Sequence, residues 1–438
     1  MAGACALLLD AALLHPATAR AGNDDGVLVG NDAAMSGGAV GALTDDGSAT
    51  WYNPAGVAAV DRDSLDVSGS ASMLRLASAG DLLSSATGRG ADGGYYELLG
   101  IPSEVTLVRR LDAHTNLGLG VFVPQVTNHT DRVTLRDSLG GSVANWQLTQ
   151  QESSSTYHAG ITLAAALTPT LRLGATVFGT YRSFALTNQF FGGIDSDSGT
   201  DSVFGTASLT SSQSVSLEVS AGLQWHPIDG LSLGVTVRSP GVVVGSAYHV
   251  TGSALAAGPG GISFAPTEDS GLSPNFDVIT PTRFRLAIAH TWERGWISLD
   301  VDAQHALDSP ALGVRREWIG GVRVGARVQV DPTLALGTGL FTDLDPTRAI
   351  DAYGATRIDF FGGTLGMEFR TPHQLGEGES APDLVFVNTV AARYALGTGQ
   401  IGGLRFDAAA PMGGSTSVQP VATTVHELSL HLGSALFF

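Results

Sequence analysis

Glu427-Leu428-Ser429-Leu430-His431-Leu432-Gly433-Ser434-Ala435-Leu436-Phe437-Phe438 closes the chain and decides its fold. Leu428, Leu430, Leu432, Leu436 and Phe438 fall on one face; Glu427, Ser429, His431, Gly433 and Ala435 fall on the other. A period of two marks a strand with one apolar and one wet face. The same alternation recurs in about fourteen stretches, from roughly 64–76 to 424–438. Val215, Leu217, Val219, Ala221, Leu223 and Trp225 oppose Ser214, Ser216, Glu218, Ser220, Gly222 and Gln224. Ile297, Leu299, Val301 and Ala303 oppose Ser298, Asp300 and Asp302, and Val322 and Val324 oppose Arg323 and Gly325. An apolar side this extensive is too large for a soluble surface. It predicts an all-β fold, a transmembrane antiparallel β-barrel of about fourteen strands over residues 63–438. A charge facing lipid costs about 2–4 kcal/mol at the bilayer midplane, so the charged face lines the lumen.

Composition agrees. Of 438 residues, 43% are hydrophobic and 15% charged, with 57 glycines, against about a quarter charged in soluble proteins. No apolar run reaches the ~18 residues of a membrane helix. The net charge is −18 and all 23 basic residues are Arg, which argues against a nucleic-acid partner. The one cysteine, Cys5, leaves the rest of the chain without a disulfide or a thiolate metal site. Residues 1–21 read as a signal peptide: Ala6–Leu9 and Ala11–Leu14 form an apolar core and Ala19-Arg20-Ala21 a small-x-small cleavage site, although Asp10 interrupts the core and no basic residue precedes it.

Connection lengths test the barrel independently. Short turns fall at Leu111–His114, Thr168–Thr170, His226–Gly230, Glu293–Gly295 and Asp331-Pro332, between long polar segments near 77–102, 124–153, 187–211, 240–280 and 397–423. Short periplasmic turns opposite long outer loops are the asymmetry of bacterial outer-membrane barrels. Trp225, Trp292, Trp296 and Trp318 fall beside strand ends, as an interfacial aromatic girdle requires.

Residues 22–62 lack strand period. They hold Ala33-Ala34-Met35-Ser36-Gly37-Gly38, then Thr44-Asp45-Asp46-Gly47, then Trp51-Tyr52-Asn53-Pro54-Ala55-Gly56. This order of Gly-Gly, Asp-Asp and Asn-Pro-Ala-Gly before the first strand resembles the N-terminal hatch of the FadL/TodX family, the outer-membrane transporters of long-chain fatty acids and hydrocarbons. Leu233–Pro240 resembles the family's Tyr-Arg-Ser strand, with Val237 where Tyr is usual. The resemblance implies a fourteen-stranded barrel whose lumen is plugged by a hatch carrying Gly37, Gly38, Asp45, Asp46, Asn53, Pro54, Ala55 and Gly56. It implies passive uptake of hydrophobic small molecules, which bind from outside, pass when the hatch moves, and leave sideways through the wall. Lipid and lipopolysaccharide would surround the barrel, and Phe438 would engage the barrel-assembly machinery. On the residues alone, Asn-Pro-Ala-Gly is also a plain turn, and a general porin or a structural barrel remains the alternative.

Enzymatic and metal chemistry find no support. Gly230–Gly234 matches a nucleophile elbow but leads into a strand, with no helix following. His426 and His431 point to opposite faces of their strand and cannot share a metal. Asp195–Asp201 lacks the glycine and glutamate of a calcium loop. No cofactor is implied. The inward charges Glu218, Arg238, Arg283, Arg285, Arg323, Arg327, Glu368 and Arg393 are expected to form a lumen network, some of them suited to a ligand carboxylate.

Overall fold

The computed structural model describes residues 26–139, 142–196, 201–258, 261–272, 277–309, 314–347, 350–374, 383–406 and 416–438. The leader reading and most of Asp195–Asp201 lie outside them. Two short helices, α1 (Asn31–Ser36) and α2 (Ala49–Tyr52), and a 3-10 turn (Pro54–Ala59) precede the strands. The first strands are β1 (Ser64–Ser85), β2 (Gly90–Arg110), β3 (Thr115–Leu139), β4 (Ser142–Thr168), β5 (Leu171–Ser196) and β6 (Ser202–Ile228). Then come β7 (Leu231–Arg238), β8 (Gly241–Gly258), β9 (Gly261–Gly271), β10 (Val278–Thr280), β11 (Arg283–Trp292), β12 (Gly295–Gln304) and the hairpin β13 (Leu307–Ser309) and β14 (Val314–Arg316). The last are β15 (Ile319–Gln329), β16 (Leu334–Asp343), β17 (Thr356–Gln374), β18 (Asp383–Phe406) and β19 (Thr416–Phe437).

Antiparallel pairing runs β1 to β7, then β11, β12, β15, β16, β17, β18, β19 and back to β1, a closed ring of fourteen. The ring closes where Ser64 pairs with Phe437. Closure removes the exposed edges that an open sheet would present to lipid. β8 continues β7 past a break at Ser239-Pro240, pairing with the upper half of β6 and with the outlying β9.

Exposure fixes which face is which. Leu299, Val301 and Val322 are 39–45% exposed, whereas Asp300 and Arg323 between them are at most 4% exposed. The apolar face looks outward and the charged face inward. Trp225, Trp292 and Trp318 are exposed on the outer surface, as a girdle requires.

The long outer segments are not loops. β1 and β2 continue through 77–102, and β3 to β6 reach 25–27 residues. Beyond the bilayer a strand no longer needs a lipid face, so its alternation fades although its ladder continues. These extensions form an outer crown with its own apolar core. Trp146 and Phe190 stack on Phe406 at 4.9 and 5.4 Å, with Leu82, Leu83 and Leu148 packed around them. The tip of β1 reaches this core by pairing in parallel with β18, Leu83 opposite Leu404. The crown is low on one side, because β11, β12, β15 and β16 have only 10–11 residues, the length that just spans a bilayer.

A charge at the middle of the lipid face tests this assignment. Leu299→Arg is expected to destabilise the barrel by about 2–4 kcal/mol in liposome unfolding titrations, while an apolar replacement at Leu299 leaves it near wild type.

Candidate functional site: the filled lumen

Residues 26–62 lie inside the barrel and are bonded to its wall on every side. Val27 N–H donates to Pro124 O on β3 at 3.1 Å, and Gly41 N–H donates to Asp300 on β12 at 2.9 Å. Wall side chains donate to backbone carbonyls of the segment: Thr364 to Met35, Gln224 to Thr44, Thr176 to Thr50, Arg238 to Trp51, Thr236 to Tyr52, and Asn116 to both Val57 and Val60, all within 2.7–3.2 Å. An irregular segment has few internal partners for its carbonyls, and each left buried without one costs about 1–3 kcal/mol.

Each part of the motif has a local cause. Gly37 and Gly38 both adopt left-handed backbone, φ +67° and +82°, and close α1; side-chain-bearing residues adopt this region poorly. Asn53 is fully buried, accepts from Ala55 N–H, and donates to Gly41 O at 2.7 Å and to Leu223 O of β6 at 3.0 Å. Pro54 opens the 3-10 turn, where no N–H is needed. At Gly56 a Cβ would fall 2.1 Å from Thr44 O.

The wall answers with glycines that sequence reasoning missed. A Cβ at Gly174 or Gly222 would strike Pro54 and Asn53, at Gly325 or Gly339 Ser36, and at Gly366 Met35. They face inward on successive strands and let the segment's backbone approach the wall. Glycines on the wet face of an alternating strand were the available signal.

All eight predicted charges lie on the lumen side. Arg285 and Arg323 share Asp302, and Arg285 is also 4.0 Å from Asp300. Arg327 and Arg370 meet Glu368, and Arg327 reaches Asp32 of the segment. Arg393 pairs with Glu427, which also binds Arg75; Arg75 in turn binds Glu97. Glu218 accepts from Thr280 at 2.9 Å. Arg238 lies over the Trp51 and Phe178 rings at 4.1 and 4.7 Å, within cation–π range.

Three spaces adjoin the segment. One of about 80 Å³ sits beside Trp51 and Tyr52 under the low rim, lined by Arg238, Arg283, Arg285, Arg323 and Phe284. A second, about 100 Å³, lies against β1 and β3 near Val27, Arg75 and Pro124. The third, about 380 Å³, opens at the short-turn end and holds Asp32, Asp45, Asp46 and Asp66. Enclosure there pushes the Asp45 carboxyl up to about 6, helped by Asp32. Burial, then Asp66 and Asp32, pushes Asp46 up as well. No cluster able to hold a metal occurs among the described residues.

The wall itself has a seam. β2 and β3 pair from Arg110–Asn116 up to Glu104–Phe122 and no further, although both strands continue. Above that point β2 is paired only with β1 and β3 only with β4. β3 bulges at the same place, between Phe122 and Gln125, around Pro124, which lacks the N–H for a ladder. Val27, Met73, Ile101 and Val123 cluster at the foot of the seam.

Fold and filled lumen together define a transmembrane β-barrel with its own N-terminal segment packed in the lumen. No family model and no curated sequence matches the chain. Solved structures do. A Pseudomonas aeruginosa FadL homologue is 15% identical at TM-score 0.58, covering 94% of this chain and 98% of its own. The P. putida toluene transporter TodX is 14% identical at TM-score 0.56, covering 93% and 98%, and the Ralstonia pickettii toluene transporter TbuX is 12% identical at 0.53, covering 93% and 98%. The chain shares their fold over nearly its whole length.

Two outcomes are expected. Gly222→Val should expel Asn53 from its wall contact, so that limited proteolysis cuts within 41–60 while the barrel stays folded. The Asp46 charge is disfavoured by burial and by Asp66 and Asp32, so the packed segment gains stability as pH falls through the raised Asp46 range towards the ordinary carboxylate range. Hydrogen exchange over 41–52, corrected for intrinsic rates, should be slower at pH 5 than at 7.5, and Asp46→Asn should reduce that difference.

Proposed function

We propose that this barrel takes hydrophobic compounds passively across the outer membrane, long-chain fatty acids foremost, with residues 22–62 as a movable hatch. The observation that carries this reading is the seam between β2 and β3, whose foot is lined by the apolar Met73, Ile101 and Val123 and stopped by Val27 of the hatch. A greasy solute gains nothing from a water pore, but an apolar path from lumen to bilayer favours it. The spaces of about 80 and 100 Å³ are smaller than the ~300 Å³ or more of ordinary ligand sites. A ligand therefore loads only as the hatch shifts, and the same shift withdraws Val27. Wall bonds that hold carbonyls through flexible side chains are individually exchangeable, which suits a segment that moves without unfolding the barrel.

The fatty-acid preference rests on the space beside Trp51. Its lining carries four arginines against two aspartates, and the Trp51 and Tyr52 rings supply an apolar side. Arginine recognises carboxylates through paired N–H donors. The space lies under the low rim of the crown, between β7, β11, β12, β15 and β16. A general porin fits less well, because the hatch bonds fill the lumen of the closed barrel. Phe438, whose N–H donates to Asp63 O at 2.9 Å, remains the proposed contact for assembly machinery.

Oleate uptake by a bacterial host lacking its own fatty-acid channel tests the reading. Wild type is expected to restore uptake. Arg283→Gln is expected to lower it about tenfold, the equivalent of one charge-assisted hydrogen bond, and to leave toluene uptake unchanged. Ion conductance without oleate uptake would identify a porin instead.

A further inference from the structure

The upper seam is closed by side chains where every flanking pair of strands is closed by backbone. Side-chain contacts cross it at several levels. At the tip, Thr87 and Arg89 of the β1–β2 hairpin bind Asp137 of β3. Lower down, the Glu97 carboxylate on β2 accepts a hydrogen bond from Asn128 N–H on β3. The Tyr95 ring stacks on His129 at 3.9 Å, 17° from parallel. Asp131 on β3 accepts from Gly94 N–H at 3.2 Å. Glu97 is also tied back into the barrel. It is 3% exposed, and its second oxygen accepts from Arg75 Nη1 at 2.9 Å. Arg75 is fixed by Glu427, and Glu427 by Arg393. A line of four alternating charges thus runs across β18, β19, β1 and β2 and ends on a backbone N–H of β3.

We propose that Glu97 is the latch of the seam, a positioning residue that Arg75 aims across the gap to hold β3 against β2. The proposal rests on the uptake reading and names what regulates its exit. Below the latch, the cavity beside Val27 and Pro124 includes Arg75, Tyr95 and His129 in its wall, so anything occupying it touches the groups that hold the seam shut. Outside the latch, Tyr96 and Leu98 are 80% and 69% exposed on the outer face. Separating β2 from β3 here breaks the Glu97 and Asp131 bonds, the ring stack and the Asp137 contacts at the tip, whereas separating β3 from β4 beside it would break a long backbone ladder.

The test uses purified full-length protein in liposomes. Tyr95→Cys/His129→Cys is bridged with a reducible bis-methanethiosulfonate reagent; the sequence has no cysteine beyond Cys5 to compete. The bridge is expected to cut oleate delivery at least tenfold and dithiothreitol to restore it, with equilibrium oleate binding unchanged throughout. Glu97→Ala, shown folded by its heat-modifiable gel mobility, is expected to deliver oleate at least threefold faster than wild type, again with unchanged binding, a gain that loss of a merely structural contact does not produce. Wild-type delivery from the bridged barrel, or delivery at or below wild type from folded Glu97→Ala, would overturn the latch while leaving the uptake reading intact. Wild-type protein that delivers no oleate would overturn both.

Discussion

The constraint on which everything else depends is hydrogen bonding of irregular backbone inside a barrel. Strands satisfy their own polar groups by ladder; residues 26–62 cannot. Thr364, Gln224, Thr176, Arg238, Thr236 and Asn116 supply the missing donors from five different strands. The segment is thereby held by contacts spread over several staves. Its conformation and the barrel's diameter fix one another, since moving a stave by one residue would turn its donor towards lipid.

Two further features follow from that arrangement. Close approach requires glycine on the wall at Gly174, Gly222, Gly325, Gly339 and Gly366, where a Cβ would collide with the segment. Inward charges must be paired, because enclosure weakens their hydration. The pairing is local. Asp302 serves two arginines and Glu368 two. The group containing Arg75 and Glu427 lies at the seam and the group containing Arg285 and Asp302 under the low rim.

The membrane-spanning part was legible because lipid imposes a strict rule on every second residue. Leu299 against Asp300 and Val322 against Arg323 gave orientation as well as strand, and all eight inward charges followed. Motif order placed the N-terminal segment in the lumen, and Gly37-Gly38 and Asn53-Pro54 have the backbone roles their chemistry suggests. The outer crown was not legible. Residues 77–102 and 124–153 are mostly ladder, yet above the bilayer neither face need be apolar, and their composition reads as loop. Pairings among charges, the wall glycines and the β2–β3 seam depend on register between distant strands, which periodicity within one strand does not contain. Pro124 was the one local hint of the seam.

Mobility of the lumenal segment is the central claim, and a tether tests it most directly. A Cβ on Gly118 of β3 would lie 2.9 Å from the Thr50 hydroxyl, close enough for a disulfide in Thr50→Cys/Gly118→Cys. Oleate delivery should be lost in the oxidised protein and recovered on reduction, with the barrel folded in both states. Equal delivery from oxidised and reduced protein would contradict the account, since a segment pinned to the wall would then be no obstacle to the solute.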